Sequence, residues 1–305
     1  MNEDYLWDRS GERDAGIAHL ERVLDRLRWR EKKRRRWPWI VAATAAAAAL
    51  LIGLGMHLSA PATSWTLSVA GKAPVAVRAG QVIDTQNTRG TMDSDFVGEV
   101  EIEPKSRLRL LASRAGEHRM ALDQGTIHAL IWAPPAAFVV DTPSAKTVDL
   151  GCRYTLRVAP DGAGFLTVET GWVAFQWKNL ESFIPAGAAC TTRPGHGPDT
   201  PHFLDAPQIL VASVARFDRT QAPQALAAAL DAARPRDALT LWHLLERTQG
   251  AERAEVFDRF AALVKLSPEV TREAVLRGDR KAMDVAWNAL QLGDTSWWRE
   301  WKRTW

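Results

Sequence analysis

The sequence has 305 residues, of which 46% are hydrophobic and 25% are charged, and its formal net charge is +3. The first 36 residues hold this whole surplus, with 11 Lys and Arg against 8 Asp and Glu, so the charges of residues 59–305 balance to zero. This balance excludes direct nucleic-acid binding by residues 59–305, because such binding depends on a basic surface that neutralises phosphates.

An apolar stripe marks the N-terminal segment. Ile17, Leu20, Leu24 and Leu27 recur at i, i+3, i+7 and i+10, which is typical of one face of a helix that begins near Ala15. A lone helix cannot bury its own stripe. We therefore expect the stripe to rest on lipid, to pair with its copy in a dimer, or to bind a groove on a protein partner.

A basic block followed by an uncharged segment predicts a membrane helix. Residues 26–36 hold eight basic side chains, and residues 37–58 contain no Asp, Glu, Lys or Arg. About 20 apolar residues let a helix cross the hydrocarbon layer, and Lys and Arg beside a span stay on the cytoplasmic side. The pattern predicts a single-pass protein of a bacterial inner membrane, with a cytoplasmic N-terminus and periplasmic C-terminal domains. A cleaved signal peptide is disfavoured because leader and apolar segment are both too long.

Residues 63–204 show the pattern of a β-domain. Apolar residues alternate with polar ones in several runs, as at Val100 and Ile102, at Leu108 and Leu110, and over residues 148–158. Gly, Pro and Asp separate these runs, as they do between short strands. We predict an all-β domain, either a β-sandwich or a β-roll.

One short pattern around a glycine occurs three times in this region. An apolar residue lies three positions before the glycine and a Val or Ile two positions after it, at Gly80, Gly125 and Gly171. A glycine at a fixed place between apolar residues favours a tight turn or a bulge that needs a positive φ. We therefore expect a repeated supersecondary unit with a positive φ at each glycine.

Several motifs of the β region follow one another in a fixed order. They are Gly125-Thr126-Ile127, the sequence FVVDTPSA at residues 138–145, the sequence VDLGCRYTL at residues 148–156 and the sequence VETGWV at residues 168–173. Together they resemble the FecR domain, over roughly residues 75–195. The resemblance implies a transmembrane regulator of an extracytoplasmic-function sigma factor, whose outer domain senses a ligand or partner while its cytosolic segment binds or releases the sigma factor. The chain departs from the family in its short cytoplasmic segment and its helical C-terminus.

The two cysteines, Cys152 and Cys190, both follow the predicted membrane span. Oxidising conditions in a periplasm preserve disulfides, so we expect these two residues to be bonded to each other. Free structural thiols are one alternative. A metal site that adds His196 and His202 to Cys190 is another, although the spacing matches no usual zinc motif.

Residues 205–305 change to a helical pattern. Thr220 is expected to cap a helix that begins near Pro223, and further helices are predicted at residues 236–249, 252–265, 268–277 and 280–292 and from Ser296 onward. Short amphipathic helices with short turns predict antiparallel pairs, arranged as a HEAT-like repeat or a small bundle. Such a domain usually offers a surface to another protein.

The last predicted helix carries four tryptophans, Trp297, Trp298, Trp301 and Trp305. Three of them lie four residues apart, and Arg299, Lys302 and Arg303 occupy positions between them. Aromatic side chains with basic neighbours predict an interface with a protein, a glycan or a lipid surface. A plain structural cap on the helical domain is the alternative.

The sequence contains none of the common catalytic or nucleotide-binding motifs. It has no G-x-S-x-G, no G-x-x-x-x-G-K, no H-E-x-x-H and no G-x-G-x-x-G. His118, His128 and His243 lie within strand or helix patterns, where a hydrogen-bonded structural role is expected. We therefore expect a protein that is not an enzyme, has no catalytic residues, and holds no cofactor or metal.

The expected fold is α+β and multidomain. It comprises a cytosolic segment with an amphipathic helix (1–36), one transmembrane helix (37–58), a FecR-like β-domain (63–204) and an all-α helical-hairpin domain (205–305). The first functional hypothesis is a signal relay of the anti-sigma type, with the stripe from Ile17 to Leu27 as the cytosolic contact with a sigma factor. The second is an envelope scaffold, anchored in the inner membrane, that holds a periplasmic protein or glycan and has no sigma-factor role.

Overall fold

The computed structural model describes residues 15–25 and 65–293. The chain divides into two compact units, Met1–Ser59 and Ala60–Trp305. In the first unit the described residues form one helix, α1 (Ala15–Asp25). In the second unit the described residues form a strand-rich part followed by a helical part.

The predicted transmembrane part of the fold class is corrected by this structure. No helix among residues 15–25 and 65–293 is long and apolar enough to cross a membrane. The longest of them has 14 residues, whereas a membrane-spanning helix needs about 20. This finding overturns the membrane component of the predicted fold class and, with it, the predicted location as a single-pass inner-membrane protein with periplasmic domains. The segment predicted as the span, residues 37–58, lies outside the described residues.

The described residues in the first part of the second unit form sixteen strands. In chain order they are β1 (Trp65–Val69), β2 (Val75–Val77), β3 (Val82–Asp84), β4 (Gly90–Ser94), β5 (Gly98–Ile102), β6 (Arg107–Arg114), β7 (Glu117–Ile131), β8 (Phe138–Asp141), β9 (Lys146–Asp149), β10 (Arg153–Val158), β11 (Gly164–Thr170), β12 (Trp172–Trp177), β13 (Leu180–Pro185), β14 (Ala188–Arg193), β15 (Gly197–Pro198) and β16 (His202–Phe203).

Strand β7 belongs to two sheets. Its second half pairs with β5 and β10 in the first sheet, and its first half pairs with β6 and β8 in the second sheet. The first sheet has the order β2-β1-β4-β5-β7-β10-β11-β14, and both β15 and β16 pair with β14. The second sheet has the order β3-β6-β7-β8-β9-β12-β13. The β7–β8 pair is parallel, and the other described pairs are antiparallel.

The apolar residues that alternate along the strands form the core. Val100, Ile102 and Leu108 have no exposed surface, and neither do Tyr154 and Leu156 of β10. Side chains at alternate positions of a strand point to the same face, which explains why one set is buried while its neighbours are exposed. The prediction of a multi-stranded β region is therefore confirmed.

The three repeated glycines lie where the chain passes between the two sheets. Gly80 separates β2 from β3, Gly125 lies within β7, and Gly171 separates β11 from β12. Their φ angles are +89°, +103° and +75°, which confirms the predicted positive φ at each. A Cβ on Gly125 would lie 2.2 Å from Ser106 Oγ, and one on Gly171 would lie 2.1 Å from the carbonyl oxygen of Gly151. The crossing points therefore need glycine for close approach as well as for φ.

The described helices after β16 are α2 (Gln208–Thr220), α3 (Pro223–Ala232), α4 (Ala238–Arg247), α5 (Gly250–Leu263), α6 (Arg272–Leu276) and α7 (Arg280–Asn288), with a 3-10 turn at Pro235–Asp237. Consecutive helices pack against each other, as α2 does on α3 and α4 on α5. Buried residues of both parts, among them Phe175 in β12 and Trp242 in α4, belong to one hydrophobic core. The strand-rich and helical parts therefore fold as one body.

Two details of the helical prediction are wrong. Helix α2 was not predicted, and Thr220 is its last residue rather than the cap of the following helix. The Thr220 hydroxyl donates to the carbonyl oxygen of Arg216 at 2.8 Å, while Ala222 stands at the N-cap of α3. The helix beginning at Pro223 is confirmed, since proline is favoured in the first turn, where its missing N–H has no helical partner.

Cys152 and Cys190 are both buried free thiols, so the predicted disulfide is not formed in this structure. Cys190 in β14 lies opposite Leu166 of β11, and Leu166 lies opposite Leu156 of β10. Cys152 directly precedes β10, so strand β11 separates the two cysteines. Two spacings between neighbouring strands separate their Cα atoms by about 9.6 Å. A disulfide can bridge Cα atoms only up to roughly 7 Å apart.

We expect Gly125→Ala to destabilise the protein much more than Gly80→Ala. Both substitutions place a Cβ at a positive φ, but a Cβ at position 80 meets nothing within 4 Å, whereas one at position 125 collides with Ser106. Backbone strain alone predicts a loss of about 1–2 kcal/mol for Gly80→Ala, and the collision should bring the loss for Gly125→Ala to about 3 kcal/mol or more. Urea unfolding of both variants measures this difference, and equal losses would contradict the role given to the crossing in β7.

Candidate functional site

Helix α1 exposes an apolar surface. Leu20, Val23 and Leu24 are 60%, 51% and 52% exposed. They lie at i, i+3 and i+4 and so form one patch on the helix, which we call the α1 stripe. Of the other predicted stripe residues, Ile17 lies in α1 but its side chain is outside the described part, and Leu27 lies outside the described residues. A helix with this patch is suited to bind an apolar groove.

A buried polar cluster, the polar junction, joins the strands to the helices through Arg247 of α4. Its guanidinium donates hydrogen bonds to the carbonyl oxygens of Pro198 and Asp199, at 3.0 Å and 3.1 Å, and to the Ser182 hydroxyl at 2.6 Å. These acceptors lie in β13, in β15 and directly after β15. One helical side chain therefore satisfies buried polar groups of two separate strands, as a long planar donor group can.

Helix α2 enters the polar junction through Asp218. Its carboxylate accepts from the Thr200 backbone N–H at 2.7 Å and from the Thr200 hydroxyl at 2.8 Å. The Arg193 guanidinium lies 2.7 Å from Asp199 Oδ1 and donates to the carbonyl oxygen of Asp218 at 3.0 Å. Burial raises the pKa of Asp218, while Arg247 and the bonds from Thr200 oppose that shift. The cluster is therefore a connected set of charges and donors and not a single ion pair.

His243 supplies a further link between the helices and the second sheet. Its Nε2 accepts from the backbone N–H of Phe183 at 3.0 Å, and its Nδ1 lies 2.9 Å from the carbonyl oxygen of Leu239. An accepting Nε2 together with a donating Nδ1 assigns the neutral ring. The ring packs against Trp242 and Trp287, with centroids 5.0 Å and 6.1 Å away. The predicted structural role of His243 is confirmed.

The first sheet carries a charged groove of about 440 Å³ on its exposed side. Acidic residues outnumber basic ones among its lining residues, which include Glu99, Glu101, Glu103, Glu169, Arg89, Arg153 and His128. The glutamates of β5 alternate along the strand and therefore lie on one side of it. We call this surface the acidic groove.

Hydrogen bonds hold the side chains of the acidic groove in place. Glu103 accepts from Arg89 at 2.6 Å, and its Oε1 lies 3.0 Å from Nε2 of His128. The other ring nitrogen of His128 lies 2.9 Å from the Thr155 hydroxyl, so a polar row crosses β7 and β10. The bond from Arg89 lowers the pKa of Glu103, which burial partly opposes. The row is only partly buried, and polar pairs in such positions contribute little to stability.

The end of β9 holds a buried carboxyl, that of Asp149, beside Cys152. Asp149 accepts from the backbone N–H of Gly151 at 2.7 Å and from the Cys152 thiol. Burial raises the pKa of Asp149 to about 7, and these two hydrogen bonds oppose the shift. Burial and the neighbouring carboxyl raise the pKa of Cys152 well above its ordinary value, so the thiol stays protonated. The segment with the sequence VDLGCRYTL thus has a structural role, and Cys152 has little nucleophilic character.

The other predicted sites are a metal site at Cys190 and an interface at the C-terminal tryptophans. Among residues 15–25 and 65–293, no group of three or more His, Cys, Asp or Glu residues is arranged to hold a metal ion. Cys190, the cysteine of the alternative metal site, donates to the carbonyl oxygen of Asp199 at 3.2 Å. The four tryptophans Trp297, Trp298, Trp301 and Trp305 lie outside the described residues. The polar junction was missed at the sequence level, because its members are single polar residues far apart in the chain.

No family model matches this chain, and no curated protein matches it. Part of the chain is similar to two crystal structures of a protein of Parabacteroides distasonis that is described as a candidate anti-sigma factor. The first has 15% sequence identity and a TM-score of 0.36, and the similarity covers 43% of this chain and 63% of that one. The second has 15% identity, a TM-score of 0.31 and coverages of 48% and 63%. The chain thus spans less than two thirds of the structures it matches, and the resemblance to the FecR domain stays a prediction.

We expect Arg247→Met to cost about 3 kcal/mol of unfolding free energy. Methionine keeps much of the apolar stem but removes the donor to the Ser182 hydroxyl and to the carbonyl oxygens of Pro198 and Asp199. The Asp199 carbonyl still accepts from Ser182 and Cys190, but breaking the rest of a buried network is costly. Arg272→Met is the matched control, since Arg272 pairs with Asp258 on the surface, where both side chains are about half exposed. Its loss of stability should be much smaller, because exposed ion pairs contribute little. Chemical denaturation of both variants provides the measurement, and equal losses would contradict the polar junction.

The raised pKa of Asp149 predicts a pH-dependent stability that Asp149→Asn removes. Between the ordinary value of 3.8 and the folded value of about 7, the unfolded chain loses this proton before the folded one does. The free energy of unfolding that Asp149 contributes is therefore full below pH 3.8, falls as the pH rises to about 7, and is constant above that. The wild-type stability should fall relative to the variant by a few kcal/mol across this range. Urea unfolding between pH 4 and 8 tests it, and a constant difference would contradict the assignment.

Proposed function

We propose that the protein is a regulator of the anti-sigma type, in which the α1 stripe contacts a sigma factor. The observation that carries the proposal is the exposure of Leu20, Val23 and Leu24 on a helix of the compact unit Met1–Ser59. Apolar side chains at i, i+3 and i+4 bind grooves on partner proteins, because burying them removes apolar surface from water. The class of partner follows from the FecR-like motifs. The two partly similar crystal structures are described as the same class of protein.

In this proposal the unit Ala60–Trp305 receives the signal. It offers the acidic groove, whose side chains are held in place by cross-strand hydrogen bonds, as a contact surface for a ligand or a protein. We propose no catalytic role for it, since the thiol of Cys152 stays protonated and the imidazole of His243 is buried in structural hydrogen bonds. In this proposal the unit Ala60–Trp305 binds the ligand or protein that carries the signal, and α1 acts on the sigma factor.

A scaffold or interaction protein without a sigma-factor role is the second candidate. The packed helices α2 to α7 favour it, because stacked helices commonly present a surface to another protein. The two candidates differ in one respect that can be measured, namely whether the α1 stripe is needed for binding a sigma factor.

We expect Leu20→Asp combined with Leu24→Asp to weaken sigma-factor binding at least a hundredfold. Each carboxylate placed against an apolar groove costs several kcal/mol, and 1.4 kcal/mol corresponds to a tenfold change. The measurement is co-purification with each extracytoplasmic-function sigma factor of the organism that makes this protein, together with expression from a promoter that the bound sigma factor uses.

The matched control is Ala15→Asp combined with Ala18→Asp. It adds the same two charges to α1 away from the two leucines. At about 100° per residue, Ala15 lies about 140° and 180° around the helix axis from Leu20 and Leu24, and Ala18 lies about 160° and 120° from them. This variant should bind as the wild type does. Loss of binding in both variants would indicate a general charge effect, and unchanged binding and expression in the leucine variant would favour the scaffold.

A further inference from the structure

A second cavity lies between the strand-rich and helical parts of the unit Ala60–Trp305. It has a volume of about 580 Å³, and we call it the C-terminal groove. Its apolar lining includes Leu263 and Val264 at the end of α5 and Leu290 and Leu292 after α7. These four side chains pack on the hydrophobic core yet remain partly exposed. Part of the core boundary is therefore left open at this point.

Basic side chains form the rim of the C-terminal groove. Lys265 is exposed, and the Arg236 guanidinium lies 4.6 Å from the centroid of the Phe203 ring. Arg236 also pairs with Asp205 at 3.4 Å, which fixes its position beside the opening. An apolar floor with a basic rim suits an aromatic segment that carries an acidic residue.

The described part of the chain ends beside this groove. The Gly293 carbonyl oxygen accepts a hydrogen bond from Trp287 Nε1 at 3.3 Å, so the backbone is tied to the folded unit there. Residue 297 follows four positions later, and four extended residues reach about 14 Å. Leu290 and Leu292 line the groove and lie just before Gly293 in the chain. Trp297, the first tryptophan after Gly293, can therefore reach the apolar floor of the groove.

The sequence that follows has the pattern of a segment with one apolar face. Trp297, Trp301 and Trp305 recur every four residues, and in helical register Arg299 and Arg303 fall on the opposite side. Each buried tryptophan removes about 150–250 Å² from water, so a segment with three of them gains much from an open apolar floor.

We propose that residues 294–305 dock into the C-terminal groove of the same chain, with Trp297, Trp301 and Trp305 on its apolar floor. The docked segment covers the partly exposed Leu263, Val264, Leu290 and Leu292. In helical register Glu300 lies about 100° from the centre of the tryptophan face, at its edge, where it meets the basic rim. The tryptophans are then the outer layer of the helical part and not a surface for a separate partner. This inference is independent of the role proposed for α1.

The test uses the full chain with Trp297→Ala, Trp301→Ala and Trp305→Ala combined, which we call the open variant. The probe is a fluorescein-labelled peptide of residues 294–305, and its binding is measured by fluorescence anisotropy. In the wild type the attached segment competes for the groove. We expect the peptide to bind the open variant at least tenfold more tightly than the wild type, and a peptide with the same three Trp→Ala changes to bind neither.

Two substitutions in the open variant locate the binding. Leu290→Asp places a charge in the C-terminal groove and should weaken peptide binding at least tenfold. Leu111→Asp is the matched control, since Leu111 is a partly exposed leucine of β6, 36% exposed and distant in sequence from the groove, and it should leave binding unchanged. Circular dichroism and thermal melting check that both variants fold. If Leu290→Asp does not fold, Val264→Thr tests the same floor with a smaller change of shape, and a threefold or greater loss is expected.

Three results would overturn the proposal. The first is a peptide that binds neither protein, and the second is one that binds the wild type and the open variant equally. The third is a wild type that is dimeric by light scattering while the open variant is monomeric, because the segment would then occupy the groove of a second copy.

Discussion

The close approach of Gly125 to Ser106 is the constraint on which the architecture depends. It lets the fifteen-residue strand β7 pass from one sheet to the other without a break, so that β7 belongs to both sheets. Any side chain at position 125 would collide with the start of β6. Gly80 and Gly171 lie at two further passages between the sheets, each with a positive φ. At these three glycines the backbone must come close to a neighbouring segment or turn with a positive φ.

The helical part is held to the strands by polar as well as apolar contacts. Apolar packing is non-directional and would allow the helices to slide over the sheets, whereas the hydrogen bonds of Arg247, Asp218 and His243 each require one position. Trp287 fills the space between them, 5.8 Å from the Phe183 ring and 4.8 Å from the Trp242 ring. Directional bonds within an apolar interface fix one arrangement and leave little freedom for the two parts to move separately.

Apolar or charged groups stay exposed on three surfaces of the described residues. The α1 stripe is exposed on a single helix, the acidic groove lies on the open side of a sheet, and the C-terminal groove leaves apolar core residues uncovered. By contrast, Asp149 and Cys152, whose pKa values burial raises, are buried and hydrogen-bonded to each other.

The sequence by itself determined the local structure. Alternating apolar residues predicted the strands, Pro223 predicted the start of a helix, and three glycines between apolar residues predicted backbone with positive φ, because each depends on neighbours within a few residues. Helix α2 was not predicted, because Pro207 at its N-cap makes no side-chain capping bond. The capping residue that usually marks a helix start in the sequence is therefore absent.

Only the tertiary structure decided which distant residues meet. Strand order places β11 between Cys152 and Cys190, and nothing in their spacing could exclude the disulfide. The same holds for the polar junction, where Arg247 meets acceptors about 50 and 65 residues earlier in the chain. Apolar periodicity is a property of neighbours in sequence, whereas these contacts follow from how two sheets and six helices close around one core.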